Sequence, residues 1–367
     1  MTERAHNQEK LHLPAPQADQ GAYRATLERG FKRFPKRLEN YQKYQNCSRA
    51  KSLDYLPVKM DYEIISRCNF RCIMCRINDW KQGSRAADMR LDDFKRSLDS
   101  LYSLVEIKLQ GVGEPLLHPH VFDMIHEAVS RDIWTRVNVN GSLLNVKDNY
   151  KRLIDSDPGE IQISIDGATK RVFEGIRRGA HFEQIVENAT LLNSYARQKG
   201  VLKTRSWTVV QKDNIDELEE IVRLADKMEF RRVTFSIALS FWGLSEWLTR
   251  NASVDVSGQF TQARAESLIE LGRSLGVEVT FWDGSSKYKL KGDKKDLCAW
   301  IFGRAFISSD MRIVPCCVLS DPGIADFGDA REFTRIWDGQ VYQDFREAHF
   351  KGVIPDFCKQ CYEETDI

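Results

Sequence analysis

The sequence has no run that approaches about 18 consecutive apolar residues, the length that a membrane-spanning helix requires. Its first residues, MTERAHNQEK, are polar and lack the apolar core of a secretory signal. Neither sign of charge dominates, because the formal net charge is +1 over 367 residues, so no overall attraction to nucleic acid or to an anionic membrane is expected. A composition of 42% hydrophobic and 29% charged residues is typical of a globular protein with a sizeable core. We therefore expect a cytoplasmic protein.

The cysteines do not have the pattern of a secreted disulfide framework. There are nine of them, an odd number, and no signal peptide precedes them. They cluster instead, with the C-x2-C spacing that binds metals and iron–sulfur clusters occurring twice. The cysteines are Cys47, Cys68, Cys72, Cys75, Cys298, Cys316, Cys317, Cys358 and Cys361. This pattern predicts ligand-binding thiols in a reducing compartment.

The first group of cysteines has three thiols and no fourth nearby. Cys68, Cys72 and Cys75 form a C-x3-C-x2-C motif in SRCNFRCIMC, without a histidine close in sequence. A structural zinc site needs four protein ligands, so zinc would require a distant fourth residue. A four-iron cluster on these thiols would keep one iron open to bind and activate a ligand. The spacing leaves both alternatives open and favours the cluster.

From residue 60 onward, strand-like runs alternate with amphipathic helical runs. The helical runs keep apolar side chains on one face, as Leu91, Phe94, Leu98 and Leu101 do. The strand-like runs are residues 61–66, 105–109, 135–140, 160–165, 204–211 and 232–237. Six strands separated by helices predict a parallel sheet that binds ligands at the carboxyl ends of its strands. The cysteine triplet follows the first of these strands.

Changes in the pattern divide the chain into four segments. Residues 1–57 are polar and carry no motif, so we expect an extension that packs on the main domain rather than a binding module. Residues 58–240 hold the alternating pattern, and residues 241–297 form a less regular bridge with a helix over 262–275. Residues 298–367 contain the second group of cysteines and are expected to form a separate C-terminal unit.

The motif CNFRCIMC resembles the signature of the radical S-adenosylmethionine (SAM) superfamily, whose C-x3-C-x-Φ-C loop follows the first strand of a barrel. Met74 holds the Φ position, which is more often aromatic in that family and contacts adenine largely through its backbone. The resemblance implies that the three cysteines ligate three irons of a [4Fe–4S] cluster, while the amine and carboxylate of SAM chelate the fourth. Reductive cleavage of SAM would yield a 5′-deoxyadenosyl radical that abstracts a substrate hydrogen. The implied fold is α/β, a partial (β/α)6 TIM-like barrel with a small C-terminal α+β iron–sulfur domain.

Further segments at strand ends resemble the SAM-binding elements of the same family. Gly111, Gly113 and Glu114 match its GGE element, with Val112 in place of one glycine, and a carboxylate there would pair with the methionyl ammonium of SAM. The other implied SAM-binding positions are Asn140 after the third strand, Ser164 and Asp166 after the fourth, and Arg177 in FEGIRRG. Outside this family context, Asn-Gly and Asp-Gly are ordinary turns, and an arginine on a short helix is usually solvated.

The second group of cysteines resembles the SPASM or twitch extensions that carry auxiliary clusters in this superfamily. Cys298, Cys316, Cys358 and Cys361 are enough for one closed [4Fe–4S] cluster, although a four-cysteine zinc ribbon has compatible spacings. Because six residues follow Cys361, we expect one auxiliary cluster and a twitch-like domain.

Two cysteines remain outside both ligand sets. We expect Cys317 to be a buried small apolar side chain, because adjacent side chains diverge and rarely ligate one cluster. The alternative is that the Cys317 thiol donates hydrogen to a substrate radical, as an epimerase would need. Cys47 is expected to be structural.

Three functions are compatible with these motifs. The resemblance to twitch-bearing dehydrogenases of the 2-deoxy-scyllo-inosamine type favours oxidation or epimerisation of a carbohydrate or aminocyclitol alcohol, with the auxiliary cluster as electron acceptor. The second is a peptide or protein maturase, although residues 1–57 look too short and too poor in strands for a leader-binding module. The third is a non-catalytic metal-stabilised scaffold, which would not need Glu114 beside an open cluster. The expected partners are a small-molecule substrate and a reductant such as flavodoxin or ferredoxin, with no nucleic acid and no membrane.

Substrate selection depends on side chains of the inner face of the barrel, which come from scattered positions. Arg205, Trp242 and Trp282 are candidates for that face, and the hydrophobic core is the expected location of the two tryptophans. The sequence leaves the substrate open.

Overall fold

The computed structural model describes residues 11–283 and 287–362 and contains a nine-stranded sheet. The strands are β1 (Lys59–Tyr62), β2 (Glu106–Leu109), β3 (Trp134–Val139), β4 (Glu160–Ser164), β5 (Thr204–Val209), β6 (Arg232–Ser236), β7 (Glu278–Trp282), β8 (Arg304–Ile307) and β9 (Ile313–Val314). Their spatial order is β7-β6-β5-β4-β3-β2-β1-β8-β9, and neighbours are parallel except for the antiparallel pair of β8 and β9. The predicted α/β fold with a partial TIM-like barrel is confirmed.

The helices comprise the connections between parallel strands, two helices that precede β1 and two that follow β9. They are α1 (Gln20–Arg33), α2 (Pro35–Asn46), α3 (Leu91–Ser100), α4 (Val121–Val129), α5 (Asn149–Asp155), α6 (Lys170–Ile176), α7 (Phe182–Gln198), α8 (Leu218–Lys227), α9 (Ser245–Ala252), α10 (Gln262–Leu275), α11 (Trp300–Gly303), α12 (Phe333–Trp337) and α13 (Gln340–Phe350). The ends of α10 show why its bounds match the predicted 262–275. The Thr261 hydroxyl accepts the Arg264 N–H at 3.2 Å, and Gly276 ends the helix at φ +69°. In the described part of the chain, no helix is long and apolar enough to cross a membrane.

Alternation along the strands separates an apolar outer face from a polar interior. On β1, Tyr62 is fully buried and packs edge-on against Phe94 of α3, with ring centroids 5.0 Å apart. The preceding residue, Asp61, points to the opposite face. Its carboxylate accepts hydrogen bonds from Arg304 of β8 and from Gln110 after β2. The interior of the barrel is therefore lined by polar groups, while the hydrophobic core lies between sheet and helices.

The N-terminal segment contacts the barrel near the start of its strands. The Tyr23 hydroxyl donates to Glu106 at 3.4 Å, and the Gln17 carbonyl accepts from Arg205 at 2.7 Å. Arg205 is fully buried and also bonds Glu160 at 3.2 Å, so it anchors this segment and is no longer a candidate for the substrate-facing surface.

The strands β7, β8 and β9 continue the barrel sheet into the segments predicted as bridge and C-terminal unit. β8 pairs in parallel with β1, so the second group of cysteines is attached directly to the barrel. Parts of the expected segments lie outside the described residues: 1–10 of the extension, 284–286 of the bridge and 363–367 of the C-terminal unit.

Candidate functional site

Cys68, Cys72 and Cys75 lie on an irregular loop that follows β1. Backbone hydrogen bonds hold this loop against the end of α6, because the Ile73 N–H donates to the Ile176 carbonyl at 3.0 Å. The side-chain amide of Asn78 donates to the carbonyls of Cys72 and Cys75 at 2.8 and 3.0 Å, which fixes the end of the loop.

The three thiols lie close enough to influence one another. Burial raises the pKa of Cys68 to about 12, with further contributions from the charges of Glu114 and Cys72. The pKa of Cys75 is raised by burial and by both other cysteines. Thiolates in such a site need positive charge to compensate them, and a bound metal cluster supplies it.

Gly113 explains how the second motif is positioned against this loop. A Cβ atom there would lie 2.2 Å from the carbonyl oxygen of Ile65 and 2.8 Å from that of Arg67, so only glycine fits. The N–H of Glu114 then donates to the Arg67 carbonyl at 3.0 Å. The Gly113–Glu114 segment is thus packed directly against the start of the cysteine loop.

Glu114 presents a buried carboxylate to the same region. Its two oxygens accept the backbone N–H groups of Leu116 at 3.1 Å and of Asn140 at 2.7 Å. Burial raises the pKa of Glu114 to about 7 despite these bonds, and no salt bridge to it is found in the described residues. A bound ammonium would favour the ionised carboxylate. The predicted contact of Glu114 with SAM remains a prediction.

Asn140 belongs to a hydrogen-bonded group next to the cysteines. Its side-chain nitrogen donates to Asn69 at 2.9 Å and lies 3.8 Å from the sulfur of Cys68, while its oxygen accepts from the Ser142 hydroxyl at 2.7 Å. Asn69 in turn donates to the Ser142 hydroxyl at 2.9 Å. Sequence reasoning missed Asn69 and Ser142. The sequence gives only a weak indication of these two residues, because each is a polar residue beside a motif that is already assigned.

Arg177 is 7% exposed, so its side chain is not solvated. It forms a 2.7 Å ion pair with Asp166, and another of its nitrogens lies 3.8 Å from the sulfur of Cys72. The Arg177 Nε is buried without a hydrogen-bond partner in the described chain. Ser164, at the end of β4, is half-buried. The predicted SAM contacts of Arg177 and Ser164 remain predictions, and Asp166 is engaged by Arg177.

The two tryptophans expected in the core lie elsewhere. Trp242 is half-buried, and its indole N–H donates to the carbonyl of Met74 at 3.2 Å, so it contacts the cysteine loop at the predicted adenine-binding position. Trp282 is 43% exposed. It ends β7 one position after Phe281, which packs on Phe235, so strand alternation turns Trp282 to the other face. The core prediction for Trp282 is wrong.

Four cysteines of the C-terminal region surround one small cavity of about 30 Å³. Cys298, Cys316, Cys358 and Cys361 all line it, and burial raises the pKa of each thiol. The other lining residues are Trp300, Ile301, Pro315, Val318, Phe345, Phe357 and Tyr362. Within residues 11–283 and 287–362, no group of three or more His, Cys, Asp or Glu is arranged to hold a single metal ion.

Cys317 follows Cys316 directly but does not line that cavity. Its thiol is influenced by the charges of Asp61, Arg304 and Lys108, which line the barrel interior, and burial raises its pKa to about 11. It also packs on the apolar cluster of Phe306, Val314, Leu319 and Ala325. The predicted apolar packing therefore describes one side of Cys317, and its other side faces polar groups.

Comparison with known families agrees with this geometry. Residues 62–225 match the radical SAM superfamily, and residues 298–362 match SPASM, an iron–sulfur cluster-binding domain. The chain carries a radical SAM domain followed by a SPASM domain. These domains imply the predicted cofactors, a [4Fe–4S] cluster with SAM and an auxiliary cluster. The residues fit them: three grouped thiols lie near an unpaired buried carboxylate, Glu114, and four further thiols share one cavity.

Individual relatives have low sequence identity to this chain or match only part of it. The chain is 32% identical over 170 residues to a tungsten-containing aldehyde ferredoxin oxidoreductase cofactor-modifying protein of Pyrococcus furiosus, covering 44% of this chain and 46% of that protein. It is 23% identical over 312 residues to the PqqA peptide cyclase of Granulibacter bethesdensis, covering 83% and 79%. The crystal structure of Streptococcus suis SuiB bound to precursor peptide SuiA aligns with a TM-score of 0.62 at 14% identity, covering 85% and 70%. The chain spans about half the length of the first curated relatives that it matches, at 46% and 45%.

Proposed function

We propose that this protein is a radical SAM maturase that modifies a peptide or protein precursor. The observation that carries the proposal is the recurrence of maturases among the relatives: mycofactocin maturases match 46–47% of the chain, and the PqqA peptide cyclase matches 83% of it. The sequence motifs alone favoured oxidation or epimerisation of a sugar or aminocyclitol alcohol. The relatives support the maturase better.

The side chains have distinct proposed roles around the cofactors. When bound, the cluster with SAM supplies a 5′-deoxyadenosyl radical, and the auxiliary cluster supplies an electron acceptor. Glu114 would bind the methionyl ammonium, and Arg177 would hold Asp166 and stabilise the negative charge of the Cys72 thiolate. The polar barrel interior would receive the substrate. A reductant such as flavodoxin or ferredoxin is the proposed electron source.

The test uses the anaerobically reconstituted protein with SAM and dithionite. Each peptide encoded by a short reading frame beside the gene is added, and peptide mass and 5′-deoxyadenosine are measured together. We expect one peptide to change mass, for example by loss of two hydrogens in a crosslink or oxidation, and Cys68→Ala to abolish both products. Cleavage of SAM that depends on Cys68 and is coupled to consumption of a sugar or aminocyclitol, with all peptides unchanged, would overturn the maturase proposal.

A second candidate is epimerisation or oxidation of an alcohol carbon, as in the twitch-bearing enzymes. The specific observation in its favour is the position of Cys317, whose thiol faces the charged groups of the barrel interior beside the auxiliary site. Epimerisation would place solvent deuterium in the product without net oxidation, and Cys317→Ala would abolish turnover while Cys47→Ala would not. Under the maturase proposal without a thiol donor, Cys317→Ala keeps turnover.

A further inference from the structure

Among the described residues, Lys108 is a buried lysine whose charge has no ion-pair partner. It lies in β2, where Ile107 and Leu109 on either side are fully buried, so its side chain points to the opposite face, the barrel interior. It is 9% exposed. In the described chain its ammonium makes no hydrogen bond or ion pair, and it lies 5.8 Å from the ring centroid of Trp207.

The carboxylates around Lys108 are already engaged by other cations. Asp61, on the neighbouring strand β1, is paired with Arg304. Glu106 is paired with Lys59 at 2.6 Å and with Arg136 at 3.4 Å. Arg136 is also paired with Glu160 at 3.1 Å, and among the described residues no carboxylate is left to pair with Lys108.

The electrostatic surroundings reflect that shortage of negative charge. The pKa of Lys108 is lowered to about 7, mainly by burial and also by repulsion from Arg136 and Arg304, which attraction to Asp61 and the Cys317 thiol does not offset. A buried ammonium without a counter-ion is costly, so a protein gains from such a site when a ligand supplies the missing charge.

We propose that Lys108 binds a carboxylate of the substrate inside the barrel, with the indole of Trp207 packing on the adjoining apolar part of that substrate. The subsite faces Cys317 and so lies beside the auxiliary site. This proposal rests on the proposed function only in identifying the molecule that carries the carboxylate. In a peptide precursor, the carboxylate belongs to an acidic side chain or to the C-terminus.

Binding of a small matched pair of probes tests the subsite without knowledge of the substrate. Glutaramate carries one carboxylate, and glutaramide is its neutral isostere. Calorimetry on the reconstituted holoenzyme with SAM should show glutaramate binding at least about tenfold more tightly than glutaramide at pH 6.5. Its affinity should fall by up to about tenfold per pH unit above pH 7, since the carboxylate needs the protonated lysine.

Variants separate this role from a structural one. Lys108→Met should abolish the preference for glutaramate, and Lys108→Arg should keep it while removing the loss of affinity above pH 7. Lys151 lies on α5 and its side chain is 43% exposed. The Lys151→Met variant should therefore bind both probes as the wild type does. If Lys108→Met loses iron, the Lys108→Arg and wild-type pH profiles still decide the question.

Three results would contradict the proposed carboxylate subsite. Equal binding of the two probes by the wild type, the same preference in Lys108→Met, or affinity that rises with pH as a neutral lysine base would require, each overturns the carboxylate subsite. Failure of the maturase proposal leaves the probe experiment unchanged, because a non-peptide substrate can also carry a carboxylate.

Discussion

Arg76 and Asp321 form a 2.7 Å ion pair that links the two cysteine sites. Arg76 directly follows the first cysteine motif, and Asp321 lies in the turn that follows Cys316 and Cys317. Their side chains are only 9% and 10% exposed, and two other nitrogens of Arg76 have no hydrogen-bond partner in the described residues. The pair therefore fixes the loop of one site against the loop of the other.

Removal of the Asp321 charge is expected to destabilise the protein strongly. Asp321→Asn leaves the buried Arg76 uncompensated apart from the more distant Asp79 at 3.7 Å, so the free energy of unfolding should fall by about 3 kcal/mol or more. Asp326→Asn is the matched control, because its 2.7 Å pair with Arg312 is more than one-third exposed and should matter by less than about 1 kcal/mol. Urea unfolding under anaerobic conditions measures both. Equal losses of unfolding free energy in the two variants would show that the Arg76–Asp321 pair contributes no more to stability than an exposed pair does.

Glu114 predicts how SAM affinity changes with pH. Its pKa of about 7 in the free protein means that half of the carboxylate is protonated near neutrality, whereas an ammonium prefers the ionised form. SAM should therefore bind more tightly as pH rises from 6 to 8. Glu114→Gln should weaken binding by at least about tenfold and remove this rise, as loss of a charge-assisted contact implies.

The control for that experiment is Glu266→Gln on α10, since the Glu266 carboxylate accepts a hydrogen bond from Gln262 of its own helix and has no other side-chain partner in the described residues. Calorimetric titration with SAM should give wild-type affinity for it. A Glu114→Gln variant that binds SAM normally and keeps the pH dependence would exclude Glu114 from the SAM site.

The iron content of cysteine variants tests the division of thiols into two sites. Wild type should reconstitute with about eight irons, as expected for two [4Fe–4S] clusters. Cys316→Ala should lower this to about four and keep SAM cleavage, because it lines the auxiliary cavity, whereas Cys68→Ala should lose cleavage. Cys317→Ala and Cys47→Ala are the controls and should keep about eight. Loss of iron from Cys317→Ala would show that the Cys317 thiol is a cluster ligand.

Local patterns in the sequence were sufficient for the strands β2 to β6 and for the cysteine motifs, whereas β1 shares only residues 61 and 62 with the predicted run 61–66. The residues 232–237 alternate visibly, and the observed β6 ends one residue earlier. The pairing of β8 with β1 joins residues about 245 positions apart, and no periodicity reports such a contact.

Side-chain direction in the interior was harder to predict for the same reason. Lys108 lies between the apolar residues Ile107 and Leu109 of β2, and its lack of an ion-pair partner in the described residues depends on how Arg304 and Arg136 are placed by other strands. Arg205 is buried because the chain near Gln17 covers it. Such contacts follow from tertiary structure alone.

Gly113 and Gly175 differ in the space available for a Cβ atom. Replacing each by alanine tests whether the backbone at Gly113 supports SAM binding. Gly113→Ala would force a Cβ to within 2.2 Å of the Ile65 carbonyl oxygen, so the loop before Cys68 must move, and both stability and SAM binding should fall. Gly175 in α6 has a helical backbone, and nothing lies within 4 Å of the position that an added Cβ would take, so Gly175→Ala should raise stability by about 0.5–1 kcal/mol. Thermal unfolding and SAM titration measure the two effects. Unchanged SAM binding in Gly113→Ala would separate this segment from the cofactor site.

The unpaired charge of Lys108 should be visible in stability as a function of pH. Its pKa is lowered from 10.5 to about 7 on folding, so the unfolded chain binds more protons between these values and stability increases as pH rises through this range. The cost of Lys108 is complete below pH 7 and disappears near pH 10.5. Lys108→Met should thus stabilise the protein at pH 7 and lose up to about 3 kcal/mol of that gain by pH 9.5.

Urea unfolding of wild type, Lys108→Met and the surface control Lys151→Met at the two pH values measures this difference. Loss of stability in Lys108→Met at both pH values would mean that the lysine stem packs as a structural element. A gain confined to the lower pH would mean that the fold keeps a destabilising cation in its interior. Because one or two kcal/mol is a large fraction of a protein's stability, a residue with that cost is best explained by a ligand that needs it.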